Sequence, residues 1–458
     1  MTSLSHHSTP RMSYALHTRA LSVLGLPLIG GHLAQFAIGL TDTVMLGWYG
    51  ATALAAVTLA GSVFFTLFIM GGGFAWAVMP MVASFHAEGD EISLRRATRM
   101  GMWLSMIFAA CALPVFWWSS PILQALGQDP ELAMAAQGYL RIAGWGIVPA
   151  LLVMVIKSYL AALERTQIVL WISLLSAIAN GLANYALIFG NWGAPELGLQ
   201  GAAIASVITQ IIGLVGVVWY AVRALPDHHL FQRLWRLDPE MFSRVFNLGW
   251  PISLTSLAET GLFVASALMM GWLGTIPLAA HGIAITLASG TFMVHLGISN
   301  AATIRAGNAY GRRDVDHMAR GGRTAIVLSL GMSALTVLVF LAIPEFLIDG
   351  FLDAGEPARD QILAIGVGLL AMAALFQLVD GAQVIALGLL RGVQDTRVPM
   401  FIAAFSYWGI GMPSSYVLGF VAGMGAIGVW LGLVIGLAVA AVLLMVRFWG
   451  PTMHRLRG

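Results

Sequence analysis

Long apolar runs separated by short polar turns recur along the whole chain. About 20 largely apolar residues in an α-helix are enough to cross the roughly 30 Å hydrocarbon core of a bilayer. These runs are apolar on all sides, whereas the strands of a membrane β-barrel alternate apolar and polar positions. The pattern therefore predicts twelve membrane-spanning α-helices, near residues 21–47, 53–84, 98–119, 133–160, 167–189, 199–222, 245–272, 277–308, 323–344, 361–389, 398–420 and 425–447.

The composition agrees with a membrane protein. Of the 458 residues, 59% are hydrophobic and only 10% are charged, whereas soluble domains carry about 25% charged residues. We therefore expect an all-α integral membrane protein and exclude a water-soluble enzyme or a nucleic-acid partner. The single cysteine, Cys111, precludes an intrachain disulfide, and its apolar surroundings predict that it is buried.

Basic residues give the predicted orientation. Positively charged loops stay in the cytoplasm, and 21 of the 23 Lys and Arg residues fall in alternate gaps between the predicted helices. The other side holds only Arg141 and Arg359. This asymmetry supports a multi-pass membrane protein with twelve spans. Both of its tails, residues 1–20 and 448–458, are then cytoplasmic.

The sequence also repeats itself. GLPLIGGHLAQ at 25–35 aligns without gaps with GWPISLTSLAE at 249–259, and Gly-Trp-x-Gly follows in both copies. This repeat predicts two homologous six-helix lobes, residues 21–222 and 245–447, joined by a cytoplasmic loop over 223–244. Parallel repeats of this kind are typical of transporters that bind substrate between their two halves.

Three acidic residues lie within predicted helices: Asp42, Glu259 and Asp380. A charge at the bilayer centre costs roughly 2.5–3.5 kcal/mol on insertion scales. We expect no basic residue at the same depth, so each carboxyl would hold a proton or a cation, as a coupling-ion site does. The alternative is a hydrogen-bonded carboxyl with a packing role.

Other polar residues within the predicted helices are candidates for lining a cavity. Asn180 and Asn184 share one helix face, Gln377 lies three residues before Asp380, and Gln35 aligns with Glu259 in the repeat. The two asparagines are as well explained by hydrogen bonds between helices. His295 could relay protons, but a packing role fits it better.

Several motifs are absent. The chain has no GxxxxGK[ST] phosphate-binding loop, no HExxH and no CxxC. An ion gradient is therefore the expected energy source, with no cofactor beyond the coupling ion, Na⁺ or H⁺.

Longer segments resemble a known family. TDTVMLGWYG (41–50), ANYALIFGNWGAPELGLQGAAIAS (183–206), AAHGIA (279–284) and LLRGVQDTRVPM (389–400) are similar to the multidrug and toxic compound extrusion (MATE) transporters, in particular the NorM branch. The resemblance implies a transporter of the bacterial cytoplasmic (inner) membrane that exports cationic or amphipathic drugs in exchange for Na⁺ or H⁺, with coupling acids at Asp42, Glu259 and Asp380. We take a monomer as the default oligomeric state. Relatives with a proton site in the first lobe carry Asp where this chain has Asn184. That departure favours Glu259 and Asp380 as the cation (Na⁺) site, with Asp42 assisting.

Three other functions remain open at this point. A lipid-linked oligosaccharide flippase of the same superfamily would favour a cationic cavity, whereas the embedded groups here are anionic. A membrane-embedded enzyme would need a nucleophile or metal cluster that the sequence does not display. A non-transporting structural or sensor protein would leave the three embedded acids unexplained.

Overall fold

A computed structural model describes residues 12–352 and 357–457 of the chain. Within these ranges the regular structure is helical and contains no β-strand. Residues 1–11 of the predicted tail lie outside the described residues. The remainder of that tail is shorter than predicted, because the first helix begins at Tyr14, where the Ser13 hydroxyl accepts a hydrogen bond from the Leu16 backbone N–H.

Twelve helical segments correspond to the twelve predicted spans. Their bounds are α1 Tyr14–Tyr49, α2 Ala51–Glu88, α3 Glu91–Trp117, α4 Pro130–Ala162, α5 Thr166–Phe189, α6 Gly198–Ala224, α7 Pro239–Leu273, α8 Thr275–Gly311, α9 Val315–Ala342, α10 Arg359–Gly392, α11 397–421 and α12 Gly425–Arg447. Eleven of them are long and apolar enough to cross a membrane as single helices. The exception is α11, which two π-helical stretches interrupt at Phe405–Gly411 and Val417–Val421.

Two matching loops show how the repeat is built. Asp90 begins α3 by accepting a hydrogen bond from the Ser93 backbone N–H at 2.9 Å, and Asp314 begins α9 through the His317 N–H at the same distance. Such N-cap aspartates satisfy backbone donors that have no partner within the helix. Asp90 and Asp314 are separated by the same offset as the aligned segments 25–35 and 249–259. The repeat therefore extends from the helices into the loops.

The helices form two six-helix lobes, α1–α6 and α7–α12. The lobes meet where α1 packs on α8 and where α2 packs on α7 and α8. The α1–α8 and α7–α2 contacts are equivalent under the repeat. This pairing is the one expected for two lobes related by an axis along the membrane normal.

Close packing between the lobes is confined to the half of each helix nearest the arginine-rich loops. A methyl group built on Gly73 of α2 would lie 2.7 Å from the Gly249 carbonyl of α7, and one on Gly297 of α8 would lie 2.7 Å from the Ile29 backbone nitrogen of α1. Every residue of α2 from Gly71 to Phe85 except Trp76 is buried, whereas most residues from Ala51 to Met70 are not. The lobes are thus closed against each other on the arginine-rich side and separate towards the opposite side.

The connection between the lobes is shorter than the predicted loop over 223–244, because α6 reaches Ala224 and α7 begins at Pro239. We call residues 225–238 the linker. Three arginine side chains of α3 hold it: Arg95 and Arg99 donate to linker carbonyls, and Arg96 pairs with Asp238. Residues 448–457, predicted as a tail, instead continue α12 as helix.

Substitution of Asp238 should lower stability in two distinguishable steps. The nearby Arg96 guanidinium holds the pKa of Asp238 below its ordinary 3.8, so the pair stabilises the fold above that pH and loses its effect as the pH falls through the lowered value. Asp238→Asn keeps the N-cap and should cost about 1 kcal/mol; Asp238→Ala also loses the cap, about 1 kcal/mol more. Thermal unfolding midpoints of the two purified variants, measured from pH 7 downwards, give both losses of stability. Equal midpoints for Asp238→Asn and Asp238→Ala would contradict the capping role.

Cys111 differs from its prediction. Its side chain is exposed on α3, on the same helix face as Ile107, which is 43% exposed.

Candidate functional site

The second lobe contains a polar cluster built around two of the predicted acids. Glu259 lies on α7, Asp380 and Gln383 lie one turn apart on α10, and Tyr407 lies in the first π-helical stretch of α11. The Gln383 amide donates to the Tyr407 hydroxyl and also reaches Glu259. Asp380 is 1% exposed, while Gln383 and Tyr407 are fully buried. The two carboxyls are close enough for each to act on the other's charge.

Oxygen atoms of this cluster lack hydrogen-bond partners. Glu259 Oε1, Asp380 Oδ1 and Gln383 Oε1 are buried and accept no hydrogen bond among the described residues. A buried polar atom without a partner costs about 1–3 kcal/mol. Carboxylate and amide oxygens are the ligands that hard cations prefer, and a proton on either carboxyl would also relieve the cost. The arrangement therefore fits a small cation or a proton.

The expectation that no basic residue lies at the same depth as the acids stays a prediction, but one basic side chain acts on this cluster from the end of α10. Arg391 was assigned to a loop, but α10 continues to Gly392 and carries its guanidinium to within electrostatic range of Glu259 and Tyr407. The guanidinium also lies 5.8 Å from the centre of the Trp76 ring of α2. Arg391 therefore offsets part of the negative charge of the two acids.

The first lobe contains a second polar cluster, around Asp42 on α1. The Asn184 amide donates to Asp42 Oδ1 and to Asn180 Oδ1, the latter at 3.2 Å. Asn180 and Ser206 lie near enough to act on the Asp42 carboxyl, although the Asn180 Nδ2 has no hydrogen-bond partner among the described residues, and Tyr139 is within electrostatic range of Asp42. Both asparagines are fully buried. Asp42 therefore sits among neutral hydrogen-bonding groups, with Asn180 as the neighbour that the sequence predicted.

The repeat places different chemistry at equivalent points. Glu259 aligns with Gln35, whose side chain is exposed on the half of α1 where the lobes separate. Asp42 aligns with Ser266, whose hydroxyl donates to the Phe263 carbonyl at 2.7 Å. Each lobe thus holds one acid-centred cluster, at non-equivalent positions.

Gln377 and His295 lie inside the second lobe and do not line an open surface. Both are fully buried. The two ring nitrogens of His295 lie 3.0 and 3.4 Å from the hydroxyls of Ser329 and Ser333. The Gln377 amide donates to the Ala288 carbonyl at 3.3 Å. These contacts join α8, α9 and α10, which is the packing role favoured for His295.

Lys157 lies inside α4, within the predicted span 133–160, and its ammonium group donates to Ser173 of α5 at 2.8 Å. His32 of α1 lies within electrostatic range of Lys157, and its Nε2 accepts a hydrogen bond from the Asn300 amide of α8 at 2.9 Å. This polar contact crosses between the lobes on the closed side.

Sequence reasoning missed four members of the two clusters: Gln383, Tyr407, Tyr139 and Ser206. Gln383 could have been found, because it follows Asp380 by three residues on the same helix face. The other three come from helices distant in sequence and carry no local signal. No group of three or more His, Cys, Asp or Glu side chains suited to a metal occurs in the described residues.

Comparisons with known proteins agree with this architecture. The MatE family model matches residues 27–186 and 251–417, which are one segment in each lobe. The chain is 45% identical to the probable multidrug resistance protein NorM of Rhizobium meliloti (strain 1021), covering 95% of this chain and 94% of that protein. It is 44% identical to the protein of the same name from Agrobacterium fabrum, with the same coverage.

A solved structure of similar shape supports the fold. It is described as the outward-facing conformation of a multidrug resistance MATE family transporter of the MOP superfamily, and it aligns with a TM-score of 0.87 over 96% of this chain and 97% of that chain. The sequences are 19% identical, so this likeness bears on the fold alone. With the family model matched in both lobes and NorM relatives matched along almost the full length, the chain belongs to the MATE family of membrane transporters, in its NorM branch.

Proposed function

We propose that the protein is a secondary multidrug efflux antiporter of the bacterial cytoplasmic membrane, which exports cationic or amphipathic drugs in exchange for Na⁺ or H⁺. The observation that carries the proposal is the pair Glu259 and Asp380, each of which has one buried carboxyl oxygen without a hydrogen-bond partner. The multidrug resistance names of the relatives supply the class of substrate. Both clusters lie within one chain, so a monomer suffices and no resident cofactor is required.

The transport cycle starts from the state in which the arginine-rich side, which we take as cytoplasmic, is closed. An ion from the opposite side enters between the separated lobe halves and binds Glu259 and Asp380. Two cations in one buried anionic site would repel each other at a high cost in free energy. Ion binding therefore displaces a cationic drug bound there. The lobes then rock, open towards the cytoplasm, release the ion and load the next drug.

The direct test is uptake of ethidium into proteoliposomes with a Na⁺ or a pH gradient imposed separately. Uptake driven by Na⁺ alone would identify a sodium antiporter and favour Na⁺ ligation by Glu259 and Asp380. Uptake driven only by the pH gradient would make the acids proton carriers. Transport under neither gradient would contradict the proposal.

Asp42 should contribute less than the acids of the second lobe. Its carboxylate accepts hydrogen bonds from neutral neighbours, so Asp42→Asn removes charge-assisted hydrogen bonds of about 1.5 kcal/mol and should slow gradient-driven ethidium transport about tenfold. The initial rate in proteoliposomes measures this effect. Asp129→Asn, at a loop aspartate remote from both clusters, is the control, and a rate equal to that control would remove Asp42 from the coupling machinery.

A further inference from the structure

A second charged site lies outside both clusters, on the arginine-rich side of the molecule. A cavity of about 540 Å³ opens between α3 and the linker. Its lining includes five arginines against the single acid Asp238; the arginines are Arg95, Arg96, Arg99, Arg233 and Arg236. Such a concentration of guanidinium groups in one cavity is a binding site for an anion.

Most of this positive charge is uncompensated. Arg96 alone forms ion pairs, with Asp238 and Glu240. Arg95 and Arg99 donate only to neutral backbone carbonyls of the linker. Arg99 lies within electrostatic range of Arg95 and Arg233, which are like charges.

The two linker arginines are free to bind a ligand. Both residues are exposed, and neither the Arg233 nor the Arg236 side chain has a hydrogen-bond or ion-pair partner in the part of the chain that the structure describes. The backbone that carries them is nevertheless fixed, because the Trp103 indole N–H donates to the Leu234 carbonyl between them at 2.6 Å. The Cα positions of both arginines are therefore held beside the cavity, while their guanidinium groups contact no other protein group among the described residues.

Apolar side chains beside these arginines identify the source of the anion. Trp235 is 78% exposed and Leu237 is 51% exposed, and they alternate with Arg233 and Arg236 along the linker. The linker joins the ends of two membrane helices, so these side chains lie at the level of the lipid headgroups. Trp is enriched at that level, and basic pockets between membrane helices bind anionic headgroups.

The geometry points to a binding site for the phosphodiester headgroup of an anionic membrane lipid between α3 and the linker. Arg233 and Arg236 bind the phosphate together with Arg95 and Arg99, while Trp235 and Leu237 contact the acyl chains. The bound lipid ties α3 of the first lobe to the start of α7 in the second. The site is independent of the drug and ion sites.

Native mass spectrometry of the delipidated, detergent-purified protein tests this site, with phosphatidylglycerol as the probe and phosphatidylcholine as the comparison. Phosphatidylglycerol should bind and phosphatidylcholine should not. Arg233→Gln/Arg236→Gln should weaken binding about 30-fold, from about 1 kcal/mol per arginine near a membrane surface. Arg165→Gln/Arg455→Gln removes the same charge from exposed, unpartnered positions on the same side and should bind as the unchanged protein does.

Two results would overturn the inference. Equal loss in both double variants would mean that net charge, and not this cavity, attracts the lipid. Displacement of the lipid by excess inorganic phosphate would mean that the cavity takes a free anion and that the apolar side chains add nothing. Quenching of tryptophan fluorescence by brominated phosphatidylglycerol tests the site independently. It should be weaker in a Trp235→Phe variant than in the unchanged protein, and equal quenching of the two would contradict the site.

Discussion

Replacing Asp380 with Asn should abolish ion-driven efflux while leaving the protein folded in the membrane. Asp380 is 1% exposed, acts electrostatically on Glu259 and has one oxygen without a partner. Asp380→Asn takes a charged ligand from the coupling ion, and a contact to a charged group is worth up to about 3 kcal/mol, so the initial rate of gradient-driven ethidium transport should fall by about 100-fold. The amide retains the shape of the carboxyl, so insertion should be unaffected.

The control is Asp360→Asn, which makes the same change in the exposed first turn of α10. It should transport as the unchanged protein does. Elution as a single species in gel filtration and an unchanged unfolding midpoint would show that both variants are folded. A folded Asp380→Asn variant with full efflux would remove Asp380 from the coupling site.

Gly73→Ala should shift the protein away from the state in which the arginine-rich side is closed. The added methyl group would lie 2.6 Å from the Ser253 backbone nitrogen and 2.7 Å from the Gly249 carbonyl, so α2 and α7 must separate. Overpacking costs about 1–3 kcal/mol, which corresponds to a population shift of about 5- to 150-fold. Transport should slow accordingly, because alternating access requires both states.

Cysteine labelling measures this shift directly. With Cys111 replaced by Ser, a single cysteine introduced as Ala301→Cys lies in the α1–α8 contact, where Ala301 is fully buried. Maleimide should react faster with it when Gly73→Ala is also present. Gly39→Ala, whose methyl group would meet no atom within 4 Å, is the matched control. Equal labelling of the two would show that the closed side tolerates the methyl group.

The helices could be predicted from the sequence because the bilayer imposes one simple requirement, a long apolar run. Their ends were less accurate, since polar caps and short amphipathic turns extend helices beyond the apolar part, as at Tyr14 and Pro239. The same error placed Arg391 in a loop. Length alone does not reveal whether a basic residue near a helix end points outward or back into the protein.

The three acids could be predicted because a charge within an apolar run is conspicuous. Their partners, such as Tyr407 of α11, are brought to the acids by the packing of helices that are distant in sequence. No local sequence pattern predicts that packing. Tyr407 lies in a π-helical stretch, where the usual helical spacing of side chains fails. The sequence likewise could not predict on which side the lobes are closed. The same chain must adopt both the state closed on the arginine-rich side and the state closed on the opposite side.

Arg391 also bears on the electrical character of transport. Two carboxylates and one guanidinium carry a net charge of minus one, so a single monovalent cation makes the cluster neutral. In the proposed exchange, one Na⁺ or H⁺ entering for each monocationic drug leaving then moves no net charge. The voltage across the membrane would neither drive nor oppose such a cycle, and the chemical gradient of the ion alone would set how far the drug is concentrated outside.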